Sequence, residues 1–131
     1  MDADGTLTVQ VGAGKVTDAA GNANIASAVY SITLDFTPPV LNSLTSSITP
    51  SYSITAQNSI PLTATFSEAV NDLALADWTL SPSGTTVTNL VGANGATTYT
   101  FDLIPPSGTA PLPEGLALTI ELPANKVTDL S

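Results

Sequence analysis

A ten-residue stretch occurs twice without a gap, as VQVGAGKVTD at residues 9–18 and as IELPANKVTD at residues 120–129. The equivalent lysines, Lys15 and Lys126, set a period of 111 residues. A period of that length is one whole domain, and stacked copies of one unit are the usual meaning of such self-similarity. The 131-residue chain therefore holds the end of one repeat and most of the next. Its repeat frame is offset from its domain frame.

Within that frame the apolar residues fall on a period of two. Leu7, Val9 and Val11 alternate with polar neighbours in residues 5–11, and Tyr30, Ile32 and Leu34 do so in residues 28–34. Further strands are expected at residues 40–45, 60–67 (Ile60, Leu62, Ala64 and Phe66 on one face), 78–80 and 85–91. Two more are expected at 97–103 (Tyr99, Phe101, Leu103) and 116–122 (Leu118, Ile120, Leu122). The residue types agree, because Val, Ile and Leu mixed with Thr and Ser suit a half-buried pleated surface. Ten prolines and nine glycines are spread along the chain as punctuation, in SPSG from Ser81, GANG from Gly92 and PPSGTAPLPEG from Pro105. About seven short strands at this spacing predict an all-β, two-sheet sandwich. Trp78 reads as a core residue of the third strand of that sandwich rather than a sugar-stacking platform. The DFTPP sequence at residues 35–39 stops a strand, since paired prolines remove donors and hold the backbone extended. A boundary there divides the chain into residues 1–37 and residues 38–131.

Eleven acids against two bases give a net charge of −9, so the chain should repel nucleic acid and anionic lipid. With no His and no Cys, the usual zinc sites, Ser-His and Cys-His nucleophile pairs, and disulfides are excluded together. No run approaches the roughly 18 apolar residues of a membrane helix. Residues 1–5 do not read as a signal segment, so an export signal is expected outside this sequence. A glycosidase pair of carboxylates would need a cleft and positioning groups, whereas these acids sit in turn-like segments with 5% aromatic content. The sequence is read as that of a non-enzyme.

KVTDAAGN at residues 15–22, DFTPP at 35–39 and TFSEAV at 65–70 occur in an order and spacing that resemble the bacterial Ig-like repeats of large surface adhesins. The resemblance covers the whole chain. It implies an immunoglobulin-like β-sandwich of Greek-key topology, export to the cell surface, and tandem stacking of neighbouring repeats. It also implies adhesion at the distal end and, in many members, calcium at domain junctions. The second copy departs from the pattern, because it reads VTDLS and stops where the first continues with AAGN and a strand.

A sandwich of this type without its last strand has an open sheet edge. Residues 24–34 are the equivalent last strand of the first copy. In the family topology that strand ends about 33 Å from where the next domain starts, and residues 35–38 reach only about 10 Å. An alternative to the passive spacer is therefore a fibre subunit, in which residues 24–34 of one molecule complete residues 38–131 of another, head to tail. A tail loosely attached to residue 38 accounts for the same offset without assembly.

The topology implied by the resemblance collects Asp35, Glu68, Asp72, Asp77 and Asp129 at one pole, with Asp2 and Asp4 at the facing pole of the preceding repeat. Converging carboxylates repel unless a cation intervenes, and Ca²⁺ accepts six to eight oxygens. These seven are the candidate Ca²⁺ ligands, of which only some need bind. Each is also a plausible solvated turn residue, with Asp18 and Asp129 bonding their own backbones. A calcium-dependent carbohydrate-binding module is a further alternative. Lys15 and Lys126 are expected to pair with the nearby Asp18 and Asp129, and a Lys–Asn cross-link to Asn125 or Asn89 is the competing reading.

Overall fold

The computed structural model describes residues 3–48, 59–106 and 117–130. Its contacts divide into two units, one within Met1–Thr37 and the other within Pro38–Leu130.

The first unit is a two-stranded antiparallel ribbon, β1 (Gly5–Val9) with β2 (Tyr30–Leu34), running from Gly5 opposite Leu34 to Val9 opposite Tyr30. Long polar connections normally leave such a ribbon marginal in water, because one pair of strands has no second layer to bury its face.

The second unit has that second layer. Strands β3 (Leu41–Ser46), β4 (Ile60–Val70), β6 (Thr86–Val91) and β7 (Ala96–Ile104) form one antiparallel sheet in the order β3-β4-β7-β6. Strands β5 (Thr79–Ser81) and β8 (Thr119–Glu121) form the other. The first order is that of the A-B-E-D sheet of an immunoglobulin-type sandwich, and β5 and β8 stand where strands C and F do. The fold is thus the all-β sandwich expected from the sequence, with a 3-10 turn at Leu75–Asp77 leading into β5.

Period-two alternation builds the core. Ile60, Leu62, Ala64 and Phe66 point inward from β4, and Tyr99, Phe101 and Leu103 from β7. A register shift between Thr65 and Val70 breaks the β4–β7 ladder, and Val70, four residues after Phe66, is buried as well. Phe66 and Tyr99 meet edge to face with ring centroids 6.0 Å apart. Trp78 and Phe101 lie tilted at 4.8 Å, which places Trp78 in the core as its residue type suggested. The Trp78 indole N–H has no acceptor among the described residues. Leu118, Ile120, Leu122 and Val127 pack against this core from β8 and the turn that follows it.

Candidate functional site

The two occurrences of the repeated sequence sit in opposite surroundings. Subtracting the period pairs Leu118 with Leu7, Ile120 with Val9, Leu122 with Val11 and Val127 with Val16. The residues of the later set pack against a core. Their counterparts are exposed, at 53% for Leu7, 60% for Val9, 49% for Val11 and 61% for Val16. Leu7 lies opposite Ile32 and Val9 opposite Tyr30, so all four share one face of the ribbon, and that face is open. A sequence pattern built to cover a core is here uncovered.

The loop joining β1 to β2 is held by one side chain above all. The Asn24 carboxamide oxygen accepts from the amides of Lys15 at 2.8 Å and Val16 at 3.0 Å, while its nitrogen donates to the carbonyl of Gly12 at 3.0 Å. The backbone of Asn24 bonds Gly14 and Val16 as well. Ser27 then pairs with Val11 through its amide and its hydroxyl. At the tip, Asp18 accepts from the amides of Ala20 and Asn22 and from the Asn22 side chain, each at 2.9 Å. These bonds, the Asn22 carboxamide foremost, hold the Asp18 carboxyl below its ordinary value of 3.8. The turn-residue reading of Asp18 is what the structure shows.

The turn after β8 repeats this conformation. Asn125 takes φ 61° where Gly14 takes φ 68°, and Thr128 stands in an isolated bridge where Thr17 does. Their bridge partners differ. Thr17 pairs with Ala23, whereas Thr128 pairs with Asn71 at the end of β4. The amides of Lys126 and Val127 and the carbonyl of Pro123 therefore repeat, residue for residue, the seat that Asn24 fills. Beside it, a groove of about 430 Å³ runs between Pro38, Pro39 and Val40 on one side and residues 122–127 on the other. Among the described residues β8 is bonded to β5 alone.

The seven acids are spread over both units. Asp4 accepts from the amide of Phe36 at 2.7 Å and from the hydroxyl of Thr37, and the Thr37 hydroxyl foremost holds its carboxyl below 3.8. Asp35 accepts from the amide of Thr37 at 3.1 Å. Asp2 lies outside the described residues. Glu68 is on β4 and is engaged there. The amide of Asp72 donates to Asn94 at 3.1 Å, and Asp72 itself is left-handed at φ 66°. Asp77 closes the 3-10 turn, accepting from the amide of Ala74 at 2.7 Å. The carbonyl of Asp129 accepts from the Asn71 side chain at 3.4 Å. Among the described residues no three acids gather into a set that could hold a metal ion. Lys126 faces Asp77 at 3.8 Å, a partner from a segment that spacing along the chain does not reveal.

With sheet order and repeat equivalence established, comparison with known families decides the class. A family description, bacterial Ig-like domain, matches residues 41–131. The chain belongs to the bacterial Ig-like domains. The match covers β3 to β8 of this bacterial Ig-like domain and leaves β1 and β2 outside it. No curated protein and no solved structure matched the chain. Domains of this family are typical of extracellular and surface proteins and are not typically catalytic. Among the described residues no helix is long and apolar enough to cross a membrane. Sequence reasoning located the repeat but missed Asn24, whose role depends on a loop closing over it. It also missed the Asn71–Thr128 bridge, which links segments far apart in the chain.

Proposed function

We propose that this bacterial Ig-like domain is a structural repeat of a secreted or surface-attached bacterial protein, a non-catalytic spacer that carries an adhesive end away from the cell. The observation that supports it most is the recurrence of one turn, with a left-handed residue at Gly14 and again at Asn125, at the period of a single domain. A chain of such units extends in one direction by repetition of one geometry. The test is protease shaving of intact source cells followed by peptide mass spectrometry, using an enzyme that cuts at acidic residues because the two lysines leave few other sites. Peptides from residues 38–131 released from unbroken cells support the reading. Their appearance only after lysis overturns it.

Calcium is a separate proposal within this reading. Its support is the excess of eleven acids over two bases and the placement of Asp72 and Asp129 beside the Asn71–Thr128 bridge. Calorimetric titration of the chelator-treated chain with Ca²⁺ tests it. Binding heat that disappears on Asp72→Asn or Asp129→Asn is the expected result, and no binding heat overturns it.

A further inference from the structure

We infer that Asn94 is a site of spontaneous covalent modification, converting to aspartate or isoaspartate, and that the fold gates the reaction through the bond between the Gly95 amide and the Val70 carbonyl. This goes beyond the spacer reading, which asks for no chemistry anywhere in the domain.

Of the eight asparagines in the chain, Asn94 alone is followed by glycine. The pairing matters because the reaction is an attack by the next residue's backbone nitrogen on the side-chain carbonyl carbon. A Cβ on that next residue would crowd the approach and restrict the backbone, and glycine has none. Asn94 is also exposed to the water that completes the reaction. The Gly95 nitrogen forms a bond to Cγ of Asn94 and gives its proton to solvent. The Cγ–Nδ2 bond breaks, and the side-chain nitrogen takes up a proton and leaves as ammonia. Water then opens the resulting five-membered imide at either carbonyl. One opening gives aspartate. The other gives isoaspartate, in which the main chain runs through the former side chain and is longer by one methylene. No oxidant, reductant or cofactor is consumed.

The folded turn engages both reacting groups. In residues 93–96 the Ala96 amide donates to the Ala93 carbonyl at 3.0 Å, with Gly95 at φ 87°. The Gly95 amide, the nucleophile, donates to the Val70 carbonyl at 2.8 Å. That bond favours the protonated amide over the deprotonated form that attacks. The Asn94 carboxamide oxygen, on the electrophile, accepts from the Asp72 amide at 3.1 Å. Nucleophile and electrophile are thus moored to two different residues, and ring closure requires the Val70 mooring to be released. Tyr99 reinforces it, since its hydroxyl lies 2.9 Å from the carbonyls of both Val70 and Ala93. Reaction therefore proceeds from the opened turn, which the loss of two hydrogen bonds makes scarce by roughly ten- to thirtyfold.

The change runs one way, because ammonia is lost. An isoaspartate lengthens the path from Ala93 to Ala96, so the Gly95 amide no longer meets Val70 and the last β4–β7 rung, Val70 with Ala96, stays loose. The domain thereby keeps a permanent record of how often this turn has opened.

The test is incubation of the full chain at mildly alkaline pH, folded and in guanidinium chloride, followed by peptide mapping with tandem mass spectrometry. Asn94 should gain the mass of water less that of ammonia, at least about tenfold more slowly in the folded chain. In denaturant, Gly95→Ala should slow the conversion, which identifies the nucleophile. Tyr99→Phe should speed it at least about threefold in the folded chain and leave it unchanged in denaturant. Equal rates in the two states overturn the inference, as does a folded rate indifferent to Tyr99→Phe. Conversion of another asparagine ahead of Asn94 in denaturant, or none at Asn94 there, overturns it too. None of these outcomes bears on where the protein resides, so the inference and the surface-spacer reading fail separately.

Discussion

Gly92 lies flat against the ring of Tyr99, so close that a Cβ placed on Gly92 would stand 2.2 Å from Cδ1 of that ring. The ring cannot move aside. Its hydroxyl lies 2.9 Å from the carbonyls of both Val70 and Ala93, donating to one at a time, and its face packs edge-on to Phe66. Gly92 also has φ 150°, which side chains rarely adopt.

Gly92→Ala should therefore lower stability by about 2–4 kcal/mol, combining overpacking with backbone strain. Gly95→Ala is the control. Gly95 also has positive φ, at 87°, but its Cβ would meet only side-chain atoms of Leu130 at 3.6 Å, so the expected cost is about 1 kcal/mol. Urea unfolding of the two variants measures the difference, and equal losses would mean that the ring is not the obstacle.

Tyr99→Phe should cost about 1–2 kcal/mol by leaving the two carbonyls without their shared donor. It should also change the alkaline limb of stability. Burial raises the Tyr99 phenol above its ordinary 10.0. A group raised on folding contributes stability that is complete below its unfolded value and is lost as pH rises through the folded one. Stability should thus fall above about pH 10, and more steeply in the native chain than in Tyr99→Phe, as read from denaturant midpoints.

The acid limb reports on the ribbon loop. With Asp4 and Asp18 held below 3.8 by hydrogen bonds, the order they provide is present above that value and is lost as pH falls through their lower folded values. Carboxyl carbon shifts followed by NMR should show midpoints under 3.8 for both, and Asn22→Ala should move Asp18 back toward it. A midpoint of Asp18 unaffected by that substitution would remove Asn22 as the cause.

Phe101→Ala should cost about 3–5 kcal/mol, because it strips the ring on which Trp78 leans. Val91→Ala, on a side chain 66% exposed, should change stability by about 0.5 kcal/mol or less.

The strands that hold the core were legible because their patterns are regular. Residues 60 to 66 and 99 to 103 alternate strictly, and β4 and β7 run through both stretches. β5 came out one residue later than expected, since Trp78 stops short of the ladder with Glu121. The 3-10 turn at Leu75–Asp77 left no periodic mark in LALAD, three residues being too few to show one. GANG was readable as a turn, yet nothing in it announces the ring above Gly92. Asn24 was harder still. It stands in GNAN, a stretch whose composition suggests only a loop, and its four-way bonding exists only once β1 and β2 have closed around it. Likewise Lys126 and Asp77 are 49 positions apart in number and meet only across the folded sheet end.

The Asn71–Thr128 bridge has a mechanical corollary. Leu41 is paired with Phe66, and Thr128 with Asn71, so the end rung of the β3–β4 ladder and the bridge beyond β4 fall within five residues of one another. Tension applied between Leu41 and Thr128 would stretch only that bulged segment, about 17 Å long, and would open its bonds one after another like a zip. The β4–β7 rungs from Ile60 to Thr65 lie outside the loaded segment.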